Sequence, residues 1–567
     1  MRITRFVVTT LLVFMIVLPV MPAMASSDWV DDFLRRYQPS LAAEPVSTAR
    51  LQPAGQLFPA GTVQVALSDV INMMIENNLD IRSNRLSPRS SYFQSLVFYR
   101  ALQPSVHVGA TVSRNTNAST NQINGAAISS QLRGNYSAGF SQLLPTGTSL
   151  SVDATMGRLS SNNNLSTYNP AYTGQINYAV GQHLLRDRGR VSTMRQILIG
   201  KNNEKISETQ FEIQVTTLLA QAEKAYWDLV FAGEDLKVKQ RSLELAQRTL
   251  DENKMKVEIG TLAPIDVVQT QSDVASRREQ FVVSTYTVTS AEDQIKKLTS
   301  SDKDPSMFLV KLQASESPRN PENVEIPALQ EAIRIALENR PEIRQANIDL
   351  ENKDLDVNYT ANQKLPILDV TAGYTQNGTG GTQTVRGSTL GSGQVLKIIP
   401  GGIFDAFGQL FGYNYTGYSL GFQLTIPLSN KAAQADYDRA LTEQRLSQSK
   451  LDVTAQGIAL EVRNALTQVE MNRARIETAK TTRELAVQKL DAEQTKFNLG
   501  TSTLRFVLEE QRNVAQAETN EVQSIVNFTK SLVDLDKAMG MTLRRNNIEV
   551  DKTLNPVASN SKPNLAN

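Results

Sequence analysis

The sequence predicts an α+β membrane protein, in which a transmembrane β-barrel is continuous with a long α-helical coiled coil and the whole is built from two internal repeats. Three observations carry this: an export signal at the N-terminus, segments where apolar and small polar residues alternate, and two sets of heptad-spaced helices of unusual length.

The export signal comes first in the chain. Arg2 and Arg5 precede an apolar run from Phe6 to Val20, followed by Ala23, Met24 and Ala25. This is the pattern of a secretory signal peptide with a small-residue cleavage site, over residues 1–25. The alternative is an uncleaved anchor, but the run falls short of the roughly 20 apolar residues a spanning helix needs. Cleavage would leave Ser26 first and change the net charge from +1 to −1, which gives no electrostatic case for nucleic acid. There is no cysteine, so thiolate metal sites, disulfides and a lipid-modified cysteine are excluded.

The repeat is visible without a gap where Leu67 to Arg82 aligns with Leu329 to Arg344, an offset of 262 that also pairs Pro104 with Pro366. Further on, Gly260-Thr261 pairs with Gly500-Thr501 at an offset of 240, so the first copy is 22 residues longer. The implied organisation is an N-terminal segment 26–65, a first repeat 66–299, a linker 300–326 and a second repeat 327–541. A polar tail, 542–567, is expected to be disordered. The first repeat reads as helix 67–103, strands within 104–184, long helix 192–259 and return helix 264–299. The second reads as helix 328–363, strands within 366–427, long helix 430–498 and return helix 504–540.

In the long helices the apolar positions follow a 3-4 spacing: Leu218, Ala222, Ala225, Leu229, Ala232 and Leu236, then Leu243, Ala246 and Leu250, with Lys239 as an interruption. The second copy continues in phase through Ile458, Val462, Ala465, Val469, Asn472 and Ile476. A sustained heptad seam argues coiled coil, and its polar members imply a packed but partly wet interface. Taken alone, these helices would equally suit a soluble stalk.

Between the helices the period changes to 2. Val106, Val108, Ala110 and Val112 alternate with Ser105, His107, Gly109 and Thr111, and five further segments of about nine residues alternate likewise. With an export signal, this matches transmembrane strands facing lipid on one side and an aqueous lumen on the other. Residues 115–131 and 160–172 are expected as external loops, and the Gly-rich stretch 378–412, which carries an apolar patch, as another connection. So few strands cannot close alone, and open edges are not tolerated in lipid, so copies must associate.

In the order of these elements, in Glu76-Asn77 and Glu338-Asn339, and in the tips Gly260 to Val267 and Gly500 to Val507, residues 65–541 resemble the TolC family of outer-membrane channels. The resemblance implies a homotrimer in the outer membrane, in contact with its lipid and ending in a periplasmic helical tunnel. It further implies a periplasmic adaptor docked at Gly260, Thr261, Gly500 and Thr501, and an inner-membrane transporter as energy source, in efflux or type I secretion. Simple turn chemistry accounts for the same glycines and threonines. By the same resemblance Asp266 stands at a polar lock and Glu509 at an acidic ring of the periplasmic gate. Phe497, Ser502 and Phe506 depart from the family's tyrosine, arginine and aspartate, and Arg505 is a substitute cation. The family has two strands per repeat, whereas four are read in the first copy here. A trimer would then have 18 strands, unless one hairpin folds outside the membrane as a flap.

No enzyme or cofactor is expected. The two histidines, His107 and His183, lie on strands with no partner spacing, and no phosphate-binding glycine loop occurs. The competing expectations are a periplasmic adaptor and a structural envelope protein without a pore.

Overall fold

The computed structural model describes residues 62–119, 127–163, 166–300, 308–317, 324–387 and 394–548. The signal segment 1–25, residues 26–61 and the tail from 549 lie outside the described residues. The first half contains β1 (Thr62–Val65), α1 (Leu67–Asn77), α2 (Leu79–Val97), a 3-10 turn (Phe98–Leu102), β2 (Ser105–Ala118), β3 (Ile128–Leu143), β4 (Thr148–Ser161), β5 (Tyr168–His183), α3 (Arg190–Glu258) and α4 (Pro264–Thr299). The second contains β6 (Lys311–Ala314), α5 (Leu329–Asn339), α6 (Pro341–Gln363), β7 (Ile367–Arg386), β8 (Val395–Ile399), α7 (Ile403–Phe411), β9 (Tyr415–Thr425), α8 (Lys431–Asn498), α9 (Leu504–Ala538) and α10 (Thr542–Arg545).

Helix α3 is 69 residues long and α8 is 68, each about 100 Å at 1.5 Å per residue. Their return helices, α4 and α9, are about half that length. Along the seam Ala222, Leu229, Ala232 and Ala246 are buried, as are Ile458, Val462, Ala465, Val469 and Ile476. The polar interruptions are partnered across helices. Asn472 donates to the Asn527 carbonyl (3.3 Å), Lys239 to the Thr519 hydroxyl (3.3 Å), and Arg483 pairs with Glu521 (3.1 Å), all three on α9.

Two expected helices are broken. The span 67–103 divides at Asn78, which leaves helical geometry at ψ 126 and accepts the N–H groups of Asp80 and Ile81 through its side chain. Its amide donates to the Leu298 carbonyl at the end of α4 (2.9 Å), so a cap and a tertiary bond together fix the break. The span 328–363 divides at Arg340, where Pro341 disfavours helical geometry for the residue before it. The Arg340 guanidinium donates to the carbonyls of Lys537 and Ala538 at the end of α9 and pairs with Glu342 and Glu461.

Strands β1 and β6 form a parallel pair against α3. Tyr226 on α3 is fully buried there; its hydroxyl donates to the Val65 carbonyl (3.3 Å) and accepts the Glu316 N–H (3.2 Å). Part of the expected linker is thus pinned to the shaft. Residues 542–548, the start of the expected disordered tail, are folded onto the helices. Thr542 is buried in α10, Arg545 pairs with Asp536, and Asn546 donates to Glu223 (2.8 Å).

The remaining strands form one antiparallel sheet ordered β2-β3-β4-β5-β7, with β9 along the first half of β7's far edge and β8 along its end. All four long strands of the first half lie in this sheet, including the hairpin that could have folded as a flap. The six long strands run 11–20 residues, against about nine expected. The expected loops 115–131 and 160–172 shrink accordingly, since β2 continues to Ala118, β3 starts at Ile128, β4 ends at Ser161 and β5 starts at Tyr168. The stretch 378–412 is not a simple connection either, since it holds the end of β7, then β8 and α7. Among the described residues no helix is long and apolar enough to cross a membrane.

Candidate channel wall and hairpin tips

Directly opposed residues share a face of the sheet, so the register sorts the side chains without ambiguity. Val106, Phe140, Val152, Tyr178, Tyr374 and Tyr418 fall on one face, as do Val108, Ala138, Ala154 and Ile176. The other face carries His107, Asp153, Asn177 and Thr375 in one row across successive strands, with Gly139 and Gly417 between or beside them. His107 reaches Asp153 (3.5 Å) over Gly139, where a Cβ would come within 2.1 Å of the imidazole. Nearer the helices, His183 lies 2.6 Å from Asp369 on the neighbouring strand. Both histidines therefore have carboxylate partners, contrary to the sequence expectation; register supplies what linear spacing did not show.

At the opposite end, α3 and α8 finish in the same way. Gly260 has φ +77 and Gly500 φ +74. The Thr261 N–H bonds the Lys256 carbonyl (2.8 Å) and the Gly260 N–H that of Val257 (3.0 Å); Thr501 and Gly500 repeat this on Lys496 and Phe497 (both 3.0 Å). This double closure requires a left-handed residue, which explains glycine at both positions. No atom lies within 4 Å of where a Cβ would stand on either glycine, so the tips are open as well as sharply turned.

The three expected gate residues are not brought together. Asp266 is half-buried in the first turn of α4, whereas Arg505 and Glu509 are exposed on α9. No hydrogen bond or ion pair among the described residues joins them. What the fold assembles is a different set. Arg277 and Asp273, with side chains only 2% and 6% exposed, pair on α4 at 2.7 Å, and Arg512 of α9 approaches the same carboxylate at 3.5 Å. Arg277 also donates to the Ser242 hydroxyl of α3 (2.6 Å), so three helices meet at one ion cluster. The only trace in the sequence is an Asp and an Arg at i, i+4, which ordinarily marks a solvated helix face.

On the second hairpin Lys489 pairs with Glu510 (2.7 Å), joining α8 to α9, and Glu493 accepts from Ser502 and Lys496. The bond from Lys489, followed by that from Asn513, holds the Glu510 carboxyl below its ordinary value of 4.5. The Ser502 hydroxyl, then Lys496, does the same for Glu493. A lowered folded pKa contributes stability that is present above the unfolded value and lost as pH falls through the folded one. Acidification below 4.5 should therefore loosen the second tip. A nitroxide attached at Thr501→Cys should gain mobility in that range, and mobility independent of pH would contradict the assignment.

An alternating sheet with unpaired edges, set on coiled-coil helices, defines the class of outer-membrane channel subunits. The model of the outer membrane efflux protein family matches residues 126–301 and 332–541, and the chain belongs to that family. It is accordingly an outer-membrane protein with a large periplasmic part, in a family of channels rather than enzymes. The chain is 22% identical over 329 residues to nodulation protein T of Rhizobium leguminosarum bv. trifolii, a match that covers 56% of this chain and 61% of that protein's length. Among solved structures it is similar to the CmeC outer membrane channel of Campylobacter jejuni, with a TM-score of 0.57, 17% identity and 86% and 88% of the two chains covered. It is also similar to the open state of the MtrE outer membrane channel of Neisseria gonorrhoeae, with a TM-score of 0.54, 16% identity and 84% and 89% covered. At these identities the structural likeness shows the fold.

Proposed function

We propose that this chain is the passive outer-membrane exit duct of a tripartite efflux or type I secretion system. Substrates pass from an inner-membrane transporter through a periplasmic helical tunnel to the exterior. The carrying observation is the sheet of six long strands and the short β8, with free edges at β2 and β9, joined to helices about 100 Å long at 1.5 Å per residue. An unpaired edge in hydrocarbon leaves backbone N–H and C=O groups without partners, so β9 of one copy pairs with β2 of the next. Three copies close an 18-strand barrel, apolar face to lipid and polar face to lumen. A duplicated architecture is supported by the two helix breaks: Asn78 caps the Leu298 carbonyl and Arg340 the Ala538 carbonyl, at the same offsets as the sequence repeat.

In this reading a periplasmic adaptor docks on the open turns at Gly260, Thr261, Gly500 and Thr501. Asp266, Arg505 and Glu509 line the periplasmic entrance, and no cofactor takes part. Purified protein in a planar bilayer should give stepwise conductance, and a membrane-inserted protein that never conducts would overturn the proposal. Glu509→Ala should then alter single-channel conductance or its block by divalent cations. Unchanged conductance and block would remove Glu509 from the pore.

A further inference from the structure

On its apolar face, β7 presents Leu368, Val370, Ala372 and Tyr374 and then changes character, continuing with Gln376, Gly378 and Gly380. Helix α7 covers that region. Leu410 packs with Ala154 and Ile176, Phe407 lies against the same cluster, and Gln376 is only 5% exposed. The two glycines form the seat, since a Cβ on Gly378 would come within 2.1 Å of the Ala406 carbonyl oxygen and one on Gly380 within 2.3 Å of that of Gly402.

The outward surface of this segment is mostly apolar, with Lys397 and Asp405 as its exposed charges. Phe404 is 82% exposed and Phe411 42%, and on the adjoining β8 Leu396 and Ile398 are exposed as well. The two polar side chains of α7 are occupied at home: Asp405 accepts the Gly402 N–H (2.7 Å), and Gln409 accepts the Thr379 N–H of β7 (2.9 Å). A helix with its polar groups bonded internally and its phenylalanines turned outward suits hydrocarbon rather than water. It also continues the strands' apolar face, at the half of the sheet away from the helices.

We infer that β8 and α7 form a membrane-embedded element in the external leaflet, where Phe404 and Phe411 replace the lipid-facing side chains that β7 lacks beyond Tyr374. The inference rests on the proposed orientation of the sheet, apolar face to lipid. Because the chain has no cysteine, single thiols can be introduced cleanly at the exposed Phe404 (Phe404→Cys) and, as a reference on β5, at Val180 (Val180→Cys). Each is labelled with an environment-sensitive fluorophore and reconstituted in phosphatidylcholine–phosphatidylglycerol vesicles containing doxyl-labelled lipid. The expected result is blue-shifted emission lost to doxyl lipid at both sites and insensitive to aqueous iodide. If Val180 is quenched by lipid and Phe404 by iodide, α7 stands in water and the inference fails while the sheet's orientation survives. Should Phe404 respond to neither quencher yet cross-link between copies, α7 packs on a second subunit and the inference again fails. Iodide quenching at both sites overturns the orientation and the inference together.

Discussion

Asp273→Ala should lower the stability of the folded chain by about 3–5 kcal/mol, the range for removing one partner of a buried ion pair. The side chain of Arg277 is 2% exposed and would retain only Ser242 as a partner, while Arg512 would lose its link from α9 to α4. Most of the loss is the cost of a buried charge left without its counterion, so Asp273→Ala combined with Arg277→Met should recover much of it. Denaturant unfolding of the full chain in detergent, followed by far-ultraviolet circular dichroism, measures both. A single-variant loss below about 1 kcal/mol, typical of exposed pairs, would mean that water reaches the cluster. Since the cluster joins α3, α4 and α9 near the hairpin tips, the proposed entrance, conductance of the same variant reports whether it also restrains the opening.

The second large effect is expected at Tyr226. Truncation to alanine removes a fully buried ring that packs edge-on against Trp227 at 5.3 Å, and it deprives the Val65 carbonyl and the Glu316 N–H of their shared hydroxyl. Buried aromatic truncations cost about 3–5 kcal/mol. Tyr226→Phe keeps the ring and leaves the Glu316 N–H without its acceptor, while the Val65 carbonyl keeps the Ser315 N–H and hydroxyl, for a loss of about 1–3 kcal/mol. The pair of variants separates packing from hydrogen bonding. Equal losses would show that the ring contributes little beyond its hydroxyl.

Periodicity made the main elements legible. Long helices expected at 192–259 and 430–498 are observed at 190–258 and 431–498, and the alternating segments fall on strands, with only Ile426 lying beyond the end of β9. What periodicity could not convey depended on distant partners. The breaks at Asn78 and Arg340 are stabilised by carbonyls more than 190 residues away in the chain. The partners of His107 and His183 depend on strand register, which no linear spacing encodes. Glycine-rich composition hid the continuation of β7, because Gly378 and Gly380 serve as a seat for α7 rather than as turn residues. At the tips, the glycines were readable from turn chemistry. The Asp273–Arg277–Arg512 cluster was not, because a charged pair at helical spacing gives no sign that a third helix will cover it.

The open sheet has a thermodynamic consequence. Strand β2 is exposed along its whole length, and nearly all of β9 is exposed too. If copies pair along these edges as proposed, the free energy that holds the strands in place includes an association term and follows mass action. The melting temperature of such an assembly is a property of its concentration as well as its sequence, and substitutions on β2 or β9 should shift it most in dilute samples.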